Sequence, residues 1–164
     1  NILIIIIVVI SLVILGWICF INSNYYKLKK LYNNPIKVNQ IYGDYQFDEY
    51  KNYVTILSYL GDEKVVEIPE KINGKPVYSI DDSAFYANPN IEKVVLSKNI
   101  IRIGHQTFIG SANLREVVLS DNIGDIGGWA FDGCPKLEKI YVKKGSRTER
   151  TLNELDFKKY MVYK

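Results

Sequence analysis

Three stretches, SIDDSAFYANPNIEKVVLS (residues 79–97), RIGHQTFIGSANLREVVLS (102–120) and DIGGWAFDGCPKLEKIYVK (125–143), repeat one pattern at a spacing of 23 residues. Aligned at this spacing, they share five apolar columns. These columns are Ile80/Ile103/Ile126, Phe85/Phe108/Phe131, Ile91/Leu114/Leu137, Val94/Val117/Ile140 and Leu96/Leu119/Val142. A repeat of this length is typical of a solenoid, in which each unit buries its apolar face against its neighbours. The sequence therefore predicts a solenoid with coils of about 23 residues.

Within each coil, two segments have different local patterns. Val94–Leu96 and its equivalents are aliphatic residues in a pattern with a period of two, which predicts a short strand in a stacked parallel sheet. The phenylalanine follows a small residue (Ala84 in the first coil), which favours a tight helical turn capped by residues 81–83. A column of small polar residues, Asn88, Ser111 and Cys134, suits bonding to loop backbone. We therefore interpret Cys134 as a packed structural residue, not a reactive thiol.

These columns resemble the BspA-type leucine-rich repeat. Residues 130–142 (AFDGCPKLEKIYV) match the pattern of that repeat almost position for position. The segments YVTILSYLGDEKVVEIPEKINGKPVYSI (53–80) and KKGSRTERTLNELDFKKYMVY (143–163) are similar to the usual opening and close of that family. The likeness covers residues 43–164, with modest departures at Asp81, at 105–107 and at Ser111. It implies an α/β leucine-rich-repeat stack in a surface protein that is not an enzyme.

Both ends of such a stack need a covering element, because an open apolar coil face would be exposed to water. Residues 43–60 alternate enough to predict a β-hairpin over the first coil. Residues 148–157 place Leu152 and Leu155 among charged residues, which predicts an amphipathic helix over the last. We assign residues 43–164 to the repeat domain with its two caps.

The first part of the chain is different in character. Ile2–Ile21 reads ILIIIIVVISLVILGWICFI, which contains no charged residue and would span roughly 30 Å as a helix. We interpret residues 1–21 as a retained transmembrane anchor; a cleaved signal peptide is the alternative, although the apolar run is long for one. Residues 22–42 follow as a juxtamembrane linker. Lys27, Lys29 and Lys30 by themselves favour a cytoplasmic repeat domain, whereas the family resemblance implies an extracytoplasmic one, and we adopt the latter.

Catalytic, metal and nucleic-acid functions find little support in the residues. The single histidine, His105, has no cysteine or serine motif as a partner, and we expect it in a surface loop. No cluster of His, Cys and carboxylates has ligand spacing, so we predict neither a metal nor a cofactor. The net charge is only +3, and basic and acidic residues alternate, which does not suit a nucleic-acid backbone. Cys19 lies inside the apolar run, so it would be far from Cys134 in a membrane-anchored chain, and we expect no disulfide between them.

A surface remains as the candidate site. The outward positions of the predicted strands are, coil by coil, Lys93, Val95 and Ser97; Glu116, Val118 and Ser120; and Lys139, Tyr141 and Lys143. Stacking would place Val95, Val118 and Tyr141 in an apolar ridge between charges, although a plain solvated sheet surface has the same composition. Lys93, Val95, Glu116, Val118, Lys139, Tyr141 and Lys143 are therefore our candidates for ligand contact.

The function that these expectations favour is a membrane-anchored recognition or adhesion module at the cell surface, binding a protein or glycan through the exposed repeat sheet. The alternative is a structural spacer or scaffold subunit in a membrane complex, in which the transmembrane helix makes the contact.

Overall fold

The computed structural model describes residues 34–155 and 157–164. In it the chain winds through successive coils, and the strands of these coils form two sheets. A seven-stranded sheet has the order β1-β2-β3-β6-β8-β10, with β5 attached to β6. Its strands are β1 (Lys37–Tyr42), β2 (Tyr45–Glu49), β3 (Val54–Tyr59), β5 (Lys71–Ile72), β6 (Lys75–Ile80), β8 (Arg102–Ile103) and β10 (Asp125–Ile126).

The second sheet has five strands, each contributed by one coil, in the order β12-β11-β9-β7-β4. These are β4 (Val65–Glu67), β7 (Lys93–Val95), β9 (Glu116–Val118), β11 (Lys139–Val142) and β12 (Met161–Tyr163). Every neighbouring pair in this sheet is parallel. The register Val94↔Val117↔Ile140 reproduces the 23-residue alignment, so the described part of the chain is a β-solenoid of about five coils.

The core lies between the two sheets, and all fifteen residues of the five apolar columns are buried in it. The phenylalanine column forms a continuous stack: the ring centroids of Phe85 and Phe108 are 5.1 Å apart, and those of Phe108 and Phe131 are 5.5 Å apart. Tyr59 continues the stack at one end and Phe157 at the other. The predicted insertion of one phenylalanine per coil is therefore confirmed.

The tight turn expected at each phenylalanine is present, but residues 82–87, 105–110 and 128–133 form turns and not a regular helix. Along these turns, alternate backbone N–H groups donate to the next coil, and those between them donate within the turn, as Tyr86 N does to Ser83 O at 3.0 Å. Phe85 N donates to Thr107 O at 2.9 Å, and Phe108 N donates to Ala130 O at 2.8 Å. The fold is thus a β-solenoid and not an α/β repeat.

One α-helix is present in the described residues, α1 (Arg147–Glu154), followed by a 3₁₀ turn at Lys158–Tyr160. Its start is fixed reciprocally: Ser146 Oγ accepts from Glu149 N at 3.0 Å, and Glu149 Oε2 accepts from Gly145 N at 2.5 Å. Leu152 is fully buried, and Thr148 Oγ1 donates to Ser120 O at 2.6 Å. These contacts hold α1 against the coil that contains Ser120.

An antiparallel pair stands at the other end, where β2 and β3 are joined in the register Tyr45↔Tyr59 and Glu49↔Val54. Strand β1 adds to β2, so residues 37–42 belong to the sheet, although the sequence places them in a linker (22–42). The sequence gives no sign of β1 because its side chains are mostly exposed and Asn39, at a φ of +51°, interrupts their alternation. Within 34–155 and 157–164 no helix is long and apolar enough to cross a bilayer. The segment Ile2–Ile21, on which the anchor prediction rests, lies outside those residues.

A buried ion pair ties β2 to β6. The Glu49 side chain is only 7% exposed, and its carboxylate lies 2.8 Å from Lys75 Nζ and 3.5 Å from Lys37 Nζ. The hydrogen bond from Lys75 is the main reason that the pKa of Glu49 lies below its ordinary value. Since the folded-state pKa is depressed, this stabilisation is present at neutral pH and is lost as the pH falls through the folded-state pKa.

We expect Glu49→Gln to reduce the free energy of unfolding by roughly 1.5–3 kcal/mol at pH 7, because it removes the charge from this pair. The deficit should begin to shrink below about pH 4, where Glu49 becomes protonated in the unfolded parent chain. It should disappear as the pH falls through the lowered folded-state pKa. Urea unfolding of both proteins between pH 7 and pH 3 measures it. A deficit that stays constant over this range would contradict a charged Glu49 in the folded state.

Candidate ligand-binding face

The outer surface of the five-stranded sheet brings six of the candidate residues together. Lys93, Glu116 and Lys139 are register partners on β7, β9 and β11, and Val95, Val118 and Tyr141 are partners two residues further on. All six side chains are half-buried, while the alternating residues between them point into the core. We call Lys93, Val95, Glu116, Val118, Lys139 and Tyr141 the sheet face. The predicted grouping of these six residues is therefore observed in the fold.

The third outward position differs from the expectation in two of the three coils. Ser97 and Ser120 are buried, at 8% and 5% exposure, because β7 and β9 end two residues earlier and the chain turns inward. Ser120 Oγ donates to Ile100 O at 2.5 Å. Lys143 is exposed and lies 3.3 Å from Asp121 Oδ2. It flanks the sheet face, and only the two serines are removed from the predicted surface.

Glu116 organises the charges of the sheet face. Its carboxylate lies 3.1 Å from Lys93 Nζ and 3.3 Å from Lys139 Nζ. The hydrogen bond with Lys93 is the largest cause of the lowered pKa of Glu116, and the bond with Glu116 raises the pKa of Lys139. Tyr141 Oη is 3.4 Å from Glu116 Oε1, and Lys93 Nζ lies 5.9 Å from the centre of the Tyr141 ring. The Tyr141 side chain is thus contacted by residues of the two preceding coils.

A second column of alternating charge runs beside the first. Lys64 Nζ lies 2.8 Å from Glu92, and Arg115 Nη1 lies 2.7 Å from Glu138. The order Lys64, Glu92, Arg115, Glu138 parallels the order Lys93, Glu116, Lys139, so opposite charges follow one another in both columns. The 23-residue offset aligns Glu92 with Arg115 and Lys93 with Glu116, so the sequence holds a signal for this pairing that the predicted surface left out.

These columns border a shallow depression of about 280 Å³. It is lined by Val65, Glu92, Lys93, Arg115, Glu116 and Glu138. Four of these residues, Val65, Glu92, Arg115 and Glu138, were not among the sequence-based candidates. Val65 is 53% exposed and gives the depression an apolar side. A ligand on the sheet face would therefore meet a mixed surface, with apolar contacts beside paired charges.

The other residues considered from the sequence lie elsewhere. His105 is exposed in a turn, and its Nδ1 accepts a hydrogen bond from Gly128 N at 2.9 Å. Arg102 is in β8 of the other sheet. Cys134 is buried, its Sγ lies 3.1 Å from Phe108 O, and burial raises its pKa to about 11. A thiol with that pKa is protonated at neutral pH, which agrees with a structural role.

Metal ligation has no site in the part of the chain that the structure describes, since no three His, Cys, Asp or Glu side chains there could hold an ion together. The charged groups of the sheet face are engaged with one another across neighbouring coils. The chemistry that this surface offers is therefore recognition through shape, hydrogen bonds and charge.

Comparison with known proteins supports the fold assignment. Residues 77–158 match the family described as "BspA type Leucine rich repeat region", in six copies. A solved leucine-rich repeat protein from Bacteroides capillosus is 28% identical, with a TM-score of 0.61, over 68% of this chain and 86% of that one. No curated protein matches the sequence.

Two further solved structures are similar in fold alone. A leucine rich cell surface protein from Faecalibacterium prausnitzii is 21% identical with a TM-score of 0.53, over 67% of this chain and 38% of that one. A leucine-rich repeat protein from Bacteroides ovatus is 20% identical with a TM-score of 0.53, over 63% and 31% of the two chains. Both are much longer proteins than the segment they share with this chain.

Proposed function

The chain belongs to the BspA-type leucine-rich repeat family, and on this basis we propose that it is a non-enzymatic recognition or adhesion module whose sheet face binds a protein or glycan. Families with this fold present a continuous sheet built from one strand per repeat, a common binding surface of solenoids. The name of the F. prausnitzii relative, a cell surface protein, supports a surface location for this chain as well.

The observation that carries this proposal is the position of Tyr141. It is the aromatic residue of the sheet face, it is half-buried, and both its ring and its hydroxyl are fixed by residues of other coils. Immobilised aromatic side chains dominate the binding energy of protein interfaces because little conformational entropy is lost when they are covered. Val95 and Val118 extend the apolar surface along the same column.

We expect Tyr141→Ala to weaken binding at the sheet face by about 2 kcal/mol or more, roughly thirtyfold in Kd. The side chain points away from the core, so the melting temperature should change little. A panel of surface proteins and glycans passed over the immobilised full chain identifies a ligand, and titration calorimetry then compares the variants.

Two further variants define the site. Lys139→Glu places a second carboxylate beside Glu116 and should slow association with an acidic ligand in a salt-dependent way. Arg102→Ala changes the other sheet and should leave binding at the sheet face unchanged. If Tyr141→Ala binds the ligand normally and His105→Ala does not, recognition belongs to the turns and the sheet-face proposal is wrong.

A structural role is the second candidate, and the paired charges favour it. Glu116 is paired with both Lys93 and Lys139, so these charges are already engaged and the sheet face also suits a stable spacer or scaffold within a membrane complex. In that case no variant of the sheet face would change assembly, and substitutions within Ile2–Ile21 would. The two roles are thus separable by mutation.

We further propose that residues 1–21 anchor the protein as a single-pass membrane protein with the repeats outside the cytoplasm, and that β2–β3 and α1 cover the ends of the stack. The apolar run Ile2–Ile21 and the buried Leu152 of α1 support these assignments. The full chain should remain in the membrane fraction after carbonate extraction, because about 20 apolar residues are held by the hydrocarbon layer. Recovery in the supernatant would exclude the anchor.

A further inference from the structure

Trp129 occupies a position that neither the backbone nor the core favours. Its indole is 62% exposed, and its backbone adopts a φ of +57°. The coil geometry imposes this conformation, since the equivalent residues Ser83 and Gln106 have φ values of +59° and +55°. A bulky side chain in this region is strained in a way that glycine is not. An exposed indole also returns little hydrophobic stabilisation, so the fold does not account for a tryptophan here.

Hydrogen-bonding groups surround the base of this turn. Gly128 N, one residue before the indole, donates to His105 Nδ1 at 2.9 Å, and His105 N donates to Asp82 Oδ1 at 2.8 Å. Gln106 stacks on the same turn, and its N donates to Gly128 O at 3.0 Å. Asp82 and His105, from the two preceding coils, therefore form a chain of hydrogen bonds that ends at Gly128, the residue before Trp129.

Arg102 extends this polar surface along the seven-stranded sheet. Its guanidinium lies 3.5 Å from Asp81, 3.3 Å from Asp82 and 3.2 Å from Asp125. All three carboxylates are between 44% and 65% exposed, so they keep free acceptor capacity toward solvent. These three carboxylates outnumber the guanidinium groups of Arg102 and of Arg147, which packs against Gly124 beside Asp125. The region is therefore locally negative, which disfavours sulfated or uronic-acid ligands.

We propose that Trp129 is a stacking platform for a neutral, hydroxyl-rich oligosaccharide, with Asp82, Arg102, His105 and Asp125 available to its hydroxyl groups. A pyranose ring has an apolar face of C–H groups and a rim of hydroxyls. The exposed indole suits the apolar face, and its turn is linked through His105 to the carboxylate of Asp82 and the guanidinium of Arg102, which suit the hydroxyls. A protein interface is centred on a contiguous apolar patch. The turn around Trp129 lacks one, since its stacked residues are Gly127, Gly128, His105 and Gln106, and this favours a sugar over a protein as the occupant.

This site is distinct from the sheet face and goes beyond the function proposed above. Arg102 and Asp125 belong to β8 and β10 of the seven-stranded sheet, whereas Tyr141 belongs to β11 of the five-stranded sheet. Tyr141→Ala should leave oligosaccharide binding at Trp129 unchanged, and Arg102→Ala should weaken it. The two proposals therefore succeed or fail separately.

The test uses the full chain in detergent with Trp17→Phe, which leaves Trp129 as the single tryptophan. The probes are hexasaccharides of glucose, mannose, galactose and N-acetylglucosamine, with a heparin hexasaccharide as the anionic comparison. At least one neutral probe should quench and blue-shift the indole emission saturably, and heparin should not. Calorimetry should then show at least a tenfold loss of affinity for Trp129→Gly and a several-fold loss for Asp125→Asn.

Trp129→Gly also separates binding from folding. Glycine relieves the strained backbone, so its melting temperature should equal or exceed that of the parent while binding is lost. Tyr86→Ala is the matched control, since Tyr86 is 64% exposed on another turn position and should be silent. The proposal is overturned if no neutral probe binds or if heparin alone binds. It is also overturned if Trp129→Gly binds the sugar with the affinity of the parent.

Discussion

Phe108→Ala should lower the free energy of unfolding by about 3–5 kcal/mol. Phe108 is fully buried, and its ring packs between Phe85 and Phe131 with centroid distances of 5.1 and 5.5 Å. The substitution removes aromatic contacts with two neighbouring coils at once and leaves a cavity that the stacked backbone cannot close. Since a domain of this size is stable by only about 5–15 kcal/mol, much of its stability depends on this one ring.

Urea and thermal unfolding measure this loss, and Tyr86→Ala serves as the control. Tyr86 follows Phe85 but is 64% exposed, so its removal should change stability by no more than about 0.5 kcal/mol. Equal melting temperatures for Phe108→Ala and the parent would mean that the stack does not hold the coils together.

Gly104→Ala should destabilise the solenoid by roughly 3 kcal/mol, the upper range for added atoms in a packed interior. A Cβ at Gly104 would lie 2.5 Å from both Asp81 C and Asp82 N, which are backbone atoms of the preceding coil. No side-chain rotation relieves that contact, so the two coils must move apart along their stacking direction. The effect comes from the space between the coils, because Gly104 does not have a positive φ.

Gly128→Ala is the matched comparison for this prediction. Its Cβ would meet the His105 ring, at 3.5 Å from Nδ1 and 4.0 Å from Cε1, which are ordinary van der Waals contacts. Circular dichroism melts of the two variants should therefore differ by many degrees. If Gly104→Ala and Gly128→Ala melt together, the coils have more freedom to separate than their packing indicates.

The core and the sheet face could be predicted from the sequence because both follow directly from the 23-residue period. Aligning Phe85, Phe108 and Phe131 gives the aromatic stack, and aligning Val95, Val118 and Tyr141 gives one row of the surface. A period identifies which residues are neighbours in successive coils, and in a solenoid those neighbours make most of the contacts.

The remaining features depend on contacts that a period does not reveal. The turns around Phe85 look helical in sequence because their hydrogen bonds to the next coil are invisible there. Strand β1 has exposed side chains and a bulge near Asn39, so it has no alternating pattern to recognise. Ser97 and Ser120 continue the strand pattern in sequence, but the chain turns inward before it reaches them.

The two charge columns constrain how this array can change in length. Removing one 23-residue unit, for example residues 98–120, would keep every apolar column intact but would bring Glu92 against Glu138 and Lys93 against Lys139. Like charges directly opposite one another on neighbouring strands are destabilising. Removing or duplicating two units together would preserve the alternation. The surface therefore imposes a parity on the repeat number, so that coils are most readily gained or lost in twos.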